Sequence, residues 1–157
     1  SYGEVNSYMR YVSQDLSKKV NLNILYILRS PTDIALSCSY RKNKKGFSKN
    51  KIQEYLKNIS NSVYNYLQFI YSLNLKSNQI LFFDEFTSNP DYIMGMEDLL
   101  DISILDKDFI INNIDKKVNF SKRKASHISE VYDKDSVKNI QKAEKLYLQL
   151  GGTACQD

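Results

Sequence analysis

The stretch from Asn23 to Arg41, NILYILRSPTDIALSCSYR, constrains the fold more than any other part of this chain. Ile24, Leu25, Tyr26, Ile27 and Leu28 form an apolar run too short for a typical helix and continuous enough for a strand buried on both faces. Arg29 then falls at the carboxyl end of that strand. Ser30 supplies an N-cap hydroxyl, Pro31 the first helical position, and Asp33 a carboxylate at the third position that can complete a capping box. Strand, turn and helix are therefore contiguous, as in α/β proteins. In open α/β sheets, anions bind at strand carboxyl ends beside helix N-termini, where free N–H groups and the helix dipole favour negative charge.

The rest of the chain supports one α/β domain over residues 1–150, with a frayed tail at 151–157. Its 157 residues, 42% hydrophobic and 25% charged, are ordinary for a globular protein with a real core. No apolar run approaches the length of a membrane helix, and no leader opens the chain, although it begins with serine and processing there stays open. Cys38 and Cys155 make neither a metal-ligand pattern nor a disulfide framework, so they read as free thiols in a reducing, cytoplasmic compartment. The net charge of +4 suits an anionic ligand, although Lys, Asn, Ile and Tyr are residues that A/T-rich codons encode.

Val5, Tyr8, Val12 and Leu16 recur at helical spacing and predict an amphipathic helix over 5–18. RKNKKGFSKN, from Arg41 to Asn50, reads as a helix end and an exposed loop. A long helix follows from Ser48, its apolar stripe formed by Ile52, Leu56, Ile59, Val63, Leu67 and Ile70. Gln79 to Phe83 is a second strand, followed by Asp84, Glu85, Asn89-Pro90 and a helix over 91–101 that offers Ile93, Met96 and Leu100 to the core. The β-α-α-β order predicts a parallel sheet. A final helix, 136–150, turns Val137, Ile140, Tyr147 and Leu150 inward.

The motif L-R-x-P-x-D-x-x-x-S, with Ser37 eight residues after Arg29, resembles the 3'-phosphate-binding segment of sulfotransferases that use 3'-phosphoadenosine-5'-phosphosulfate (PAPS). Ser37 lies about 10 Å along the helix from Ser30 and on nearly the same face, so an extended arginine could share a ligand with it. The resemblance implies that Arg29 and Ser37 hold the nucleotide's 3'-phosphate, a task for which a planar guanidinium is suited. Read without the resemblance, Arg29 pairs with a surface carboxylate and Ser37 bonds back to its own helix. QILFFDEF with Asn89-Pro90 is similar to the family's I-L-x-x-x-Y-E-D-L-x-x-x-P region, with Phe83 in place of tyrosine and Asp84-Glu85 in place of Glu-Asp. Read structurally, Asp84 and Glu85 are simply an acidic pair at a helix start.

Gly3, Glu4 and Tyr8 resemble the G-E-K-x-x-x-Y segment of the branch that includes heparan N-sulfotransferases, which implies that Glu4 is the catalytic base; Val5 replaces the lysine. Ser121, Lys122, Arg123 and Lys124 correspond to a late basic loop that closes over the nucleotide, or form a solvated loop. His127, the sole histidine, reads as a loop residue. The phosphosulfate-binding Gly-Lys-Ser/Thr turn finds no counterpart, so the resemblance covers the later two-thirds of a sulfotransferase.

The implied fold is a P-loop-kinase-like, three-layer parallel sheet flanked by helices, helix-rich and incomplete at the N-terminus. The implied reaction moves a sulfuryl group from PAPS to a hydroxyl or amine of a small-molecule or carbohydrate acceptor, without metal, nucleic acid or membrane segment. Two other readings stay open: a non-catalytic remnant of the fold that binds nucleotide or protein, and a basic helical module for nucleic acid. The sequence does not fix the oligomeric state.

Overall fold

The computed structural model describes residues 25–44, 48–97, 103, 107–114 and 128–153. Strand β1 (Tyr26–Leu28) leads into α1 (Pro31–Lys44) and the long α2 (Lys49–Ser72). A 3-10 turn (Ser77–Gln79) then opens β2 (Ile80–Phe82). Short helices α3 (Phe83–Ser88) and α4 (Pro90–Met94) follow, then α5 (Lys107–Ile114), α6 (Ile128–Val131) and α7 (Lys134–Gln149).

The two strands are parallel, with Tyr26 opposite Ile80, Ile27 opposite Leu81 and Leu28 opposite Phe82. Parallel neighbours require a long crossover, which α1 and α2 supply. The chain is thus a helix-rich α/β structure, and the sheet expected from the sequence comprises two strands among the described residues.

The stripe on α2 packs as its spacing predicts. Leu56, Leu67 and Ile70 are almost wholly buried, and Ile52, Ile59 and Val63 lie half-buried beside them. Toward one end, Leu67 and Ile70 meet Tyr26 and Leu28 of β1, Ile80 of β2 and Tyr147 of α7. Toward the other, Leu56 packs with Ala35 and Leu36 of α1, Ile128 of α6, Tyr132, and Ile140 of α7. Each fully buried aliphatic side chain contributes about 1.5–3 kcal/mol, so α2 and α7 form the spine of both clusters.

Several local expectations need correction. The apolar run of β1 reads as buried on both faces, but Ile27 is 54% exposed. Strand alternation sends Tyr26 and Leu28 to the helices and Ile27 to the opposite side. The stretch from Arg41 holds the end of α1 as expected, at Lys44, because Arg and Lys are good helix formers and extend the helix into it. Phe83 starts α3 and does not close β2. The helix expected over 91–101 begins one residue earlier, at Pro90, with the Asn89 side chain accepting the Tyr92 N–H at 3.3 Å.

At α7, Asp133 is the N-cap and accepts the Ser136 N–H at 2.8 Å, so the helix starts at Lys134, two residues ahead of the sequence-based start. That bond holds the Asp133 carboxyl below its ordinary pKa. The helix closes in a Schellman arrangement, with Gly151 N–H donating to Leu148 O at 3.1 Å and Gly152 N–H to Tyr147 O at 3.0 Å. Gly151 has φ 102°, which favours glycine, and a Cβ on Gly152 would land on the Tyr147 ring. The glycines of the expected tail therefore cap α7, whereas 154–157 lie outside the described residues.

Candidate functional site at the strand ends

The parallel register builds the site. The register ends with Leu28 opposite Phe82, so Arg29 and Ser30, which follow β1, lie beside Phe83 and Asp84 in the first turn of α3. Arg29 accordingly lies with its guanidinium carbon 5.2 Å from the Phe83 ring centroid. Its Nε is 3.9 Å from Asp84 Oδ1, too far for a hydrogen bond. That Nε is buried and has no hydrogen-bond partner among the described residues, although the side chain as a whole remains 35% exposed. The pairing of Arg29 with a carboxylate is the alternative that the sequence left open, and Asp84 is that carboxylate.

Asp84 also ties the two strand ends together. Its Oδ2 accepts the Ser30 N–H at 3.2 Å and the Tyr147 hydroxyl at 3.4 Å. Burial pushes the Asp84 carboxyl above its ordinary pKa, with Asp33 adding to the rise, while the Ser30 N–H and Arg29 oppose it. The Tyr147 hydroxyl is likewise raised, first by burial and then by Asp84. Asp84 is therefore more than one of two acidic residues opening α3.

The N-terminus of α1 is occupied by the protein itself. Thr32 donates its N–H to Glu144 Oε2 at 3.1 Å and its hydroxyl to the same oxygen at 2.9 Å. The Ser30 hydroxyl reaches that oxygen at 3.4 Å, and accepts the Asp33 N–H at 3.3 Å. Pro31 has no N–H to offer. The Ser30 N–H, which a capping box would close with Asp33, goes to Asp84. Each N–H of the first turn thus has a partner, and the anion at this helix start is the Glu144 carboxylate of α7. Burial raises the Glu144 pKa, against the bonds from Thr32 and Ser30.

Of the residues singled out from sequence, Arg29 and Ser37 are described, with Ser37 partly exposed in the middle of α1. Glu4, Ser121, Lys122, Arg123, Lys124 and His127 lie outside the described residues, as do Cys155 and the helix expected over 5–18. Thr32, Glu144 and Tyr147 were not singled out as site residues. A signal for Glu144 existed: it occupies the inward stripe of α7 set by Ile140, Ala143 and Tyr147, where a carboxylate needs partners. Among the described residues no group of His, Cys, Asp and Glu could hold a metal ion, no helix is long and apolar enough to cross a membrane, and Cys38 is a free thiol.

The site thus has an arginine at the carboxyl end of a parallel strand, seated on α3, beside a helix start closed by an internal carboxylate. Comparison with protein-family models, curated proteins and solved structures found no match to this chain.

Proposed function

We propose that this chain is a sulfotransferase-like domain of the P-loop-kinase type, in which Arg29 and Ser37 hold the 3'-phosphate of PAPS or of its product, adenosine 3',5'-bisphosphate (PAP). The observation that carries the reading is the state of Arg29: a partly exposed cation at a parallel strand's carboxyl end, with Asp84 near its buried Nε at 3.9 Å, too far to take a hydrogen bond from it. Ser37, two turns into the helix that follows, offers a hydroxyl at the spacing of the family motif.

In the reaction, Glu4 takes the acceptor's proton as the acceptor oxygen or nitrogen attacks sulfur in line. The bond from sulfur to the phosphate oxygen breaks, and PAP leaves with the electron pair. The basic run Ser121 to Lys124 covers the nucleotide. The acceptor is a small molecule or carbohydrate, and the setting is the reducing cytoplasm that a free Cys38 suits.

One observation favours a second reading, a non-catalytic domain that keeps the fold for nucleotide or protein contact. The first-turn N–H groups of α1 already bond the chain's own Glu144 and Ser30, so a ligand can use the side chains of Arg29 and Ser37 but not that helix terminus. Calorimetric titration of the whole chain with PAP tests the proposal. Wild type binds, and Arg29→Ala weakens binding about tenfold or more, the scale of one charge-assisted hydrogen bond. Absence of binding by wild type, or equal binding by Arg29→Ala, overturns it.

A further inference from the structure

We infer that Phe83 and Asp84 are the positioning residues for Arg29: they seat its guanidinium by ring contact and charge, and leave its donors free for a ligand phosphate. The inference rests on reading Arg29 as the phosphate-binding arginine.

The two residues grip Arg29 in different ways. Phe83 presents its ring to the guanidinium carbon at 5.2 Å, an attraction that uses none of the N–H groups. Asp84 divides its oxygens. Oδ2 is fixed by the backbone N–H of Ser30 and by the hydroxyl of the buried Tyr147, so the carboxylate's orientation is set by the β1–α1 turn and the core. Oδ1 is the oxygen that faces Arg29 Nε, at a distance that attracts the charge without binding a proton. A direct bidentate pair would consume the donors that a phosphate needs, whereas this longer pairing holds the side chain in place and does not. The arrangement follows from the shared strand end, because Leu28 pairs with Phe82 and α3 starts at once with Phe83 and Asp84, beside Arg29 and Ser30.

Two variants separate positioning from folding. Asp84→Asn removes the charge but keeps an oxygen to accept from Ser30 and Tyr147. Phe83→Leu keeps apolar bulk at a 37%-exposed position and touches no hydrogen bond of the cluster. In ligand-free whole chain labelled with nitrogen-15, the Arg29 Nε–H resonance is expected to exchange faster with water in Asp84→Asn. In Phe83→Leu it loses its ring-current shift. Both variants should weaken PAP binding about two- to fivefold, and neither should weaken it further in an Arg29→Ala background. An unchanged Nε–H resonance in both variants overturns the inference, as does a full loss of affinity that persists without Arg29. If the resonance responds but wild type does not bind PAP, the seating of Arg29 stands and the assignment of its ligand falls.

Discussion

Ala143 and Glu144 are neighbours on α7, yet they belong to regions held together by different physics. Ala143 lies fully buried on α7 between Ile140 and Tyr147, which pack in the two apolar clusters of the seam with α2. Glu144 turns toward the start of α1, where Thr32 and Ser30 supply it with hydrogens. Apolar burial is non-directional and scales with area. The strand-end cluster depends on each donor meeting its acceptor, and a group that loses its partner there remains desolvated. One helix can serve both because consecutive side chains point about 100° apart.

Tyr147 belongs to both regions, packing its ring edge-on against Phe82 with centroids 5.6 Å apart while its hydroxyl donates to Asp84. Tyr147→Ala should therefore have the largest effect, about 3–5 kcal/mol of stability by urea denaturation. A loss under about 1 kcal/mol would mean that the two regions do not share this residue.

A pair of conservative changes separates the two regions. Thr32→Val keeps the volume but removes one donor from Glu144, and should cost about 1–3 kcal/mol. Ile140→Val removes one methylene from the seam and should cost about 0.5–1.5 kcal/mol. If the valine at 140 costs more than the valine at 32, the strand end is held by packing and not by hydrogen bonds.

The smallest effect is one of pH. Because burial raises the Glu144 pKa above its ordinary 4.5, the folded chain keeps that proton to higher pH than the unfolded chain does. Its contribution to stability is thus fully present below the ordinary value and is lost as pH rises through the folded one. The stability of wild type relative to Glu144→Gln should fall as pH rises above the ordinary value of 4.5, read by denaturant titration at each pH. A difference that stays flat would place the Glu144 pKa at its ordinary value.

Much of the framework was legible in the sequence. The start of α1 was signalled by Ser30 and Pro31, the buried face of α2 by its apolar spacing, and both strands by short apolar runs. What stayed hidden was long-range or one-sided. The exposure of Ile27 depends on which face of β1 meets the helices, and a five-residue apolar run carries no such signal. The partners of the α1 N-terminus lie 54 residues away at Asp84 and 112 away at Glu144. Local capping rules see only Asp33, and any carboxylate that the fold delivers can take its place. For the same reason the sequence marked the helix terminus as a ligand's anion site, whereas the chain fills it internally.

Arg29 belongs to the strand-end region, and the proposed role for it there is binding of a 3'-phosphate. The direct measurement is calorimetric titration of the whole chain with PAP and, in parallel, with adenosine 5'-phosphate, which lacks the 3'-phosphate. A preference of about tenfold or more for PAP is expected, lost in Arg29→Ala. Equal affinity for the two nucleotides, or a preference that survives in Arg29→Ala, would contradict it.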